Sequence, residues 1–172
     1  MKSAPSRARL FAWLAKWVYC NQTMAESMNI LVINGPSLNM LGMREPDIYG
    51  HETLGDIEAK CRQLAAGHDM ELDWFQSNFE GELIEKIQQA VGKMDWIIIN
   101  AAGLTHTSVA LRDALSLFPG GVIEVHLSNV HSRESFRHVS LISAIAKGVI
   151  AGFGASSYYM AINAIPNLHS ET

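Results

Sequence analysis

The run Ile97-Ile-Ile99 is apolar at every position, and so is Ile30-Leu-Val-Ile33. Successive residues of a strand face opposite sides of a sheet. A strand with no polar position therefore needs both faces covered, which is the situation of parallel sheets sandwiched between helices. Further strand-like runs occupy Glu71–Gln76, Val122–Leu127 and Val149–Phe153. A helical pattern follows each strand. Thr53–Gly67 places Leu54, Ile57, Cys61 and Leu64 on one face, and Thr53-x-x-Asp56 is a capping-box start signal. Glu80–Lys93 turns Leu83, Ile84, Ile87 and Val91 inward. Helices are also predicted at Thr107–Phe118, about Phe136–Lys147 and Ser156–Ile165, and the chain after Pro166 reads as a loose tail. Five strand–helix units in succession predict an α/β domain with a five-stranded parallel sheet covered on both faces.

A chain of 172 residues suits one domain with a real core. Its 48% apolar content and net charge of −4 are ordinary for a soluble protein and give no support to nucleic-acid binding. Cys20 and Cys61 form no metal or redox spacing, so a reduced, cytoplasmic compartment is the default. The charge is unevenly divided. Residues 1–27 carry +3, through Lys2, Arg7, Arg9 and Lys16 against Glu26, and residues 28–172 carry −7. Leu10–Cys20, the most apolar part of this extension, is interrupted by Lys16 and is far short of the about 20 residues a membrane span needs. Three readings fit the extension: a disordered tail or start-site artefact, with translation beginning at Met24 or Met28; an amphipathic surface helix presenting Leu10, Trp13, Leu14 and Trp17; and a targeting peptide. The domain proper is placed at residues 28–166 and the tail at 167–172.

The first strand is followed by an unusually long connection. Asn34-Gly-Pro-Ser-Leu-Asn-Met-Leu-Gly-Met-Arg-Glu-Pro-Asp-Ile-Tyr49 far exceeds the about 2–6 residues typical after such strands. Leu38, Met40, Leu41, Met43 and Ile48 give it apolar anchors, which suits a functional lid better than disorder. Arg44 and Tyr49 near its far end would bring a cation beside a phenol, a way to make a tyrosinate base near neutral pH. Other polar residues gather at strand ends: Asn34, Ser77-Asn78, Asn100 and His126-Leu-Ser128-Asn129. Ligands of open parallel sheets bind beyond those ends, although asparagine is also an ordinary turn residue.

Glu124-x-His126 falls within a buried strand, with both side chains on one face. A glutamate there is costly unless paired. A carboxylate beside a histidine favours the imidazolium and fixes its orientation, which suits a general acid; the alternative is a pair that only satisfies itself. A convergence of His106, Glu124, His126 and His131 on a metal is a further alternative, without a recognised ligand spacing. Arg133 and Arg137, four apart, read as anion or lid partners or as a solvated helix face. The chain has no nucleophile elbow, no P-loop and no dinucleotide fingerprint. A tyrosine base, an arginine and a histidine acid with its glutamate suit proton abstraction beside a carbonyl followed by loss of water.

Asn34-Gly-Pro-x-Leu-Asn-x-Leu-Gly-x-Arg-Glu-Pro-x-x-Tyr-Gly50, Gly103-Leu-Thr-His-Thr-Ser108 with Ala110-Leu-Arg-Asp113, and Ile123-Glu-Val-His-Leu-Ser-Asn-Val-His-x-Arg-Glu134 closely resemble type II 3-dehydroquinate dehydratase, from Met28 to about Ile165. The resemblance implies a flavodoxin-like three-layer α/β/α fold, a homododecamer built as four trimers, no metal or organic cofactor, and no nucleic-acid or membrane partner. It implies anti elimination of water from 3-dehydroquinate to 3-dehydroshikimate through an enolate, in aromatic biosynthesis through shikimate and chorismate or in quinate breakdown. On this resemblance Tyr49 is the base at C2, Arg44 lowers its pKa, and His126 oriented by Glu124 protonates the departing C1 hydroxyl. Asn100, His106 and Arg137 contact substrate hydroxyls, Leu127 and Ser128 hold the carboxylate, Arg133 closes with the lid, and Asp113 reaches in from a neighbouring subunit. Two positions depart from the pattern. Ser37 stands where the family has an asparagine that helps hold the enolate-stabilising water, and Ala102 stands where glycine is common. The Ser37 departure motivates one alternative, a non-catalytic paralogue that binds ligand or only assembles. A generic flavodoxin-like binding module would leave the three motifs unexplained.

Overall fold

The computed structural model describes residues 27–42 and 52–170. Five parallel strands form one sheet in the order β2-β1-β3-β4-β5: β1 Met28–Asn34, β2 Met70–Gln76, β3 Trp96–Asn100, β4 Gly121–His126 and β5 Gly148–Ala151. Four α-helices are described: α1 Leu54–Ala66, α2 Glu80–Ala90, α3 Val109–Leu117 and α4 Ser156–Ser170. Alternation along the strands divides the core into two layers. Ile30, Val32, Ile98, Ile123 and Val125 pack under α1 and α4 with Ile57, Cys61, Tyr158, Ala161 and Ile162. Leu31, Ile33, Ile97, Ile99 and Val122 pack under α2 and α3 with Leu83, Ile87, Leu111 and Leu115. The continuously apolar strands are thus covered on both faces, as their sequences require. This strand order is the flavodoxin-like one, with its crossover reversal between β1 and β3.

Local side-chain signals set the starts of α1 and α3. Thr53 accepts the amide of Asp56 while the Asp56 carboxylate takes the amide of Thr53, so the capping box forms as predicted. Ser108 caps α3 through the amide of Leu111. On the edge strand β2, the guanidinium of Arg62 donates to the Leu72 carbonyl.

Two expectations change. No α-helix forms over Phe136–Lys147. Ser135–Arg137 makes a single 3₁₀ turn, and the Ser140 hydroxyl then accepts the amides of Ile142 and Ser143, giving the backbone a partner other than the helical ladder. The expected loose tail after Pro166 is helical as far as Ser170. Pro166 removes one amide from the ladder, but Ile165 is fully buried, Leu168 packs on the core and Trp96 Nε1 donates to His169 Nδ1.

Candidate active site

The carboxyl ends of β1, β3 and β4 open into a cavity of about 280 Å³. It lies where the strand order reverses, the place such sheets bind ligands. Close approach of the backbone shapes its floor. Gly35 donates to the Asn100 carbonyl at 2.8 Å, and a Cβ on Gly35 would meet the Ala101 carbonyl oxygen at 2.5 Å, so only glycine fits. Of the residues singled out in the sequence, Ser37, Asn100, His106, His126, Leu127, Ser128, Arg133 and Arg137 line the cavity. Glu124 lies behind His126. Asp113 is exposed on α3 and is not part of the cavity wall. Arg44 and Tyr49 lie outside the described residues.

Glu124 is fully buried and its Oε1 accepts from His126 Nε2 at 2.8 Å. Ser140 donates to the same oxygen at 2.7 Å and Ser143 to Oε2 at 2.5 Å. Burial alone would push this carboxyl up, but the hydrogen bonds from His126, Ser143 and Ser140 outweigh it and hold the group below the usual carboxylate range. An ionised carboxylate only accepts, so His126 Nε2 carries a proton and Nδ1 is the nitrogen left for a ligand. Glu124 thus fixes the ring's orientation, and in the doubly protonated state Nδ1 is the nitrogen that can donate to a ligand. His106 stacks on His126, with ring centroids 6.5 Å apart and planes 14° from parallel. Its Nδ1 bonds the Val139 carbonyl at 2.7 Å, so Nδ1 is the donor and Nε2 is free to accept. The His106, Glu124, His126 and His131 convergence does not form, because His131 packs on His138 at 5.8 Å. Among the described residues, no group of three or more His, Cys, Asp or Glu is placed to hold a metal.

Asn100 is buried at the cavity edge. Its Nδ2 donates to the Tyr158 hydroxyl at 2.9 Å and its Oδ1 accepts the amide of Ala102. Arg137 donates to Glu134 at 2.8 Å and its guanidinium stacks 5.0 Å from the Phe136 ring, while Arg133 shares the same carboxylate at 3.5 Å. The guanidiniums thus approach the cavity tethered by an exposed carboxylate rather than from one helical face.

Ser37 adopts φ 67° and ψ 0°, with its amide held by Asn78 Oδ1 at 2.8 Å. Ala102 adopts φ 51°. Both departures from the family pattern therefore occupy left-handed backbone, where asparagine and glycine are the best-tolerated residues. Sequence reasoning tied Ser37 to catalysis alone and missed this conformational component. It also missed Ser140, Ser143 and Tyr158. Hydroxyls inside apolar segments carry no spacing signal; only the position of Glu124 across the fold gives the two serines a role, and only Asn34 and Asn100 give Tyr158 one.

A doubly wound parallel sheet with a carboxylate-oriented histidine at its switch point defines an α/β enzyme suited to proton transfer. The family model described as "Dehydroquinase class II" matches residues 28–166, and the chain belongs to that family. It is 54% identical over 140 residues to a 3-dehydroquinate dehydratase of Synechococcus sp. strain WH7803, covering 81% of this chain and 95% of that protein. It is 56% identical over 141 residues to the enzyme of the same name from Tolumonas auensis, covering 82% and 93%. Among solved structures, the type II dehydroquinase of Propionibacterium acnes superposes with a TM-score of 0.79 at 38% identity, covering 82% of this chain and 97% of that one. That of Butyrivibrio crossotus gives 0.79 at 44%, covering 81% and 98%.

Proposed function

We propose that this chain is a hydro-lyase that removes water from 3-dehydroquinate to give 3-dehydroshikimate, with His126 as the proton donor. The observation that carries the reading is the buried Glu124–His126 pair at the cavity floor, in a chain of the class II dehydroquinase family. Tyr49, activated by Arg44, takes the proton at C2. The electron pair moves onto the C3 carbonyl as an enolate, stabilised through a water held at Ser37. Collapse of the enolate expels the C1 hydroxyl, which leaves as water with the Nδ1 proton of the His126 imidazolium, while Nε2–H stays bonded to Glu124 and the ring ends neutral. The product gains a C1=C2 double bond conjugated with the ketone. His106 Nε2 accepts from a substrate hydroxyl, Asn100 and Arg137 contact the others, and the Leu127–Ser128 segment receives the carboxylate. Arg133 closes over the ligand.

A homo-oligomer completes the site in this reading. Asp113 is exposed and lies outside the cavity wall of its own chain, which leaves it available to a neighbour's site, and Phe136, Val139, Val149 and Phe153 leave large apolar surface exposed in β5 and the chain around it. A dodecamer of four trimers is the assembly proposed. A cytoplasmic setting accords with the free, buried Cys61. Among the described residues no helix is long and apolar enough to cross a membrane.

The test is turnover of 3-dehydroquinate followed by enone absorbance, with and without prior borohydride. An active enzyme indifferent to borohydride supports the enolate route. Absence of turnover overturns the reading in favour of a ligand-binding paralogue, and inactivation by borohydride would point to a Schiff base instead.

A further inference from the structure

The segment Val139–Ser143 has no regular secondary structure, yet four of its groups reach the two histidines or their supports. The Val139 carbonyl accepts from His106 Nδ1 at 2.7 Å. The Leu141 amide donates to the Thr105 carbonyl at 2.9 Å, tying down the residue next to His106. The Ser140 and Ser143 hydroxyls donate to the two oxygens of Glu124. Ile142 between them is fully buried and pins the segment to the core.

We propose that Val139–Ser143 is a positioning strap that sets both histidines of the cavity at once, with Ser140 and Ser143 as positioning residues for the His126 proton donor. The inference rests on the dehydratase reading above. Ser140 is fully committed: its one proton goes to Glu124 while its lone pairs take the amides of Ile142 and Ser143, both at 3.0 Å. Its direction is therefore fixed by backbone. Glu124 has no solvent contact, and among the described residues its charge is held by these two hydroxyls and by His126. Among the described residues, the titratable groups facing it are His126 on its own strand and, across that ring, His106; the strap adds only hydroxyls. Loss of one hydroxyl removes a donor from a buried anion. The carboxylate then holds its charge less well, and the imidazolium loses part of the field and the orientation that make it an acid.

The experiment compares the parent chain with Ser143→Ala, Ser140→Ala and Ser143→Thr in steady-state turnover of 3-dehydroquinate from about pH 5 to about pH 9, with thermal unfolding alongside. Ser143→Ala is expected to lower kcat by about tenfold and move KM by less than about twofold, since substrate contacts stay in place. The acidic limb of its kcat profile shifts to higher pH, because Glu124 protonates sooner. Ser143→Thr, which keeps the hydroxyl, restores both. Ser140→Ala behaves like Ser143→Ala with a larger loss of thermal stability, since it also releases two amides. Should Ser143→Ala fail to fold, Ser143→Cys supplies a weaker donor in the same place, and its limb must shift in the same direction. Profiles that coincide with the parent's, or a loss of stability without a limb shift, overturn the strap and leave these serines as structural only. Failure of the parent to turn over overturns the dehydratase reading itself, a distinct outcome.

Discussion

The Tyr158 hydroxyl accepts from Asn100 Nδ2 at 2.9 Å, joining helix α4 to the end of β3 directly behind the cavity. The same hydroxyl donates to Asn34 Oδ1 at 2.6 Å, and Asn34 Nδ2 donates to the Phe75 carbonyl. One fully buried phenol thus serves the ends of β1 and β3 together. Tyr158→Phe is expected to destabilise the fold by about 1–3 kcal/mol, because it leaves a buried donor and a buried acceptor unmatched. It should also raise KM, since Asn100 loses the partner that aims its amide. Denaturant unfolding and steady-state kinetics measure the two effects; an unchanged midpoint would show that Asn34 and Asn100 find each other without the phenol.

Glu124→Gln should reduce kcat by a share of the about 10²–10⁴ that a positioned acid supplies, with KM little changed. Stability carries its own signature. The folded carboxyl titrates below its ordinary value, about 4.3 in an unfolded chain, so its contribution is full above about pH 4.3 and is lost as pH falls through the folded value. Thermal melts across that acid window should fall less steeply for the glutamine variant than for the parent. Parallel curves would mean that Glu124 is not ionised in the fold.

Tyr49→Phe should lower kcat by about 10²–10⁴ while substrate binding survives, because the base is lost and the carboxylate contacts are not. Equilibrium binding of 3-dehydroquinate, measured beside turnover, separates the two. Turnover within about tenfold of the parent would remove Tyr49 from the role of base.

Ser37→Asn is expected to preserve or raise kcat, by up to about tenfold if the longer amide holds the enolate-stabilising water better. The φ of 67° adds a second expectation. Asparagine tolerates this backbone better than serine, so the variant should gain a few tenths to about 1 kcal/mol in stability. A gain in stability with a lower kcat would mean that the cavity has been rebuilt around serine.

Removal of residues 1–27 should leave assembly and activity unchanged. β1 begins at Met28, and the family match begins at the same residue. Size-exclusion chromatography and turnover of the shortened chain check this, and an inactive or aggregated product would give the extension a structural role.

The sheet was legible from sequence because buried parallel strands such as Ile97–Ile99 have no polar position to confuse the pattern. The capping box at Thr53 was legible because its two partners are three residues apart. The segment after Arg137 was not. Its apolar spacing suits a helix, and what defeats the helix is a hydroxyl at Ser140 whose partner, Glu124, is sixteen residues away in sequence. Pro166 misled for a related reason: proline ends helices by local rules, whereas Leu168 and His169 are held by the core and by Trp96. Glu124 and His126 were readable as a pair because strand alternation puts them on one face. The Asn34–Tyr158–Asn100 network joins residues up to 124 positions apart and had no local trace.

The stretch Val139–Ser143 looks like a connecting loop, and connecting loops ordinarily absorb insertions and deletions. Here consecutive groups are committed to different partners: a carbonyl to His106, a hydroxyl to Glu124, an amide to Thr105, a buried side chain to the core and a second hydroxyl to Glu124. Dropping or adding one residue would misalign all of them together, disabling both histidines in a single genetic event. Length, more than composition, is the inherited constraint on this segment: a serine there can drift to threonine, but its spacing cannot drift at all.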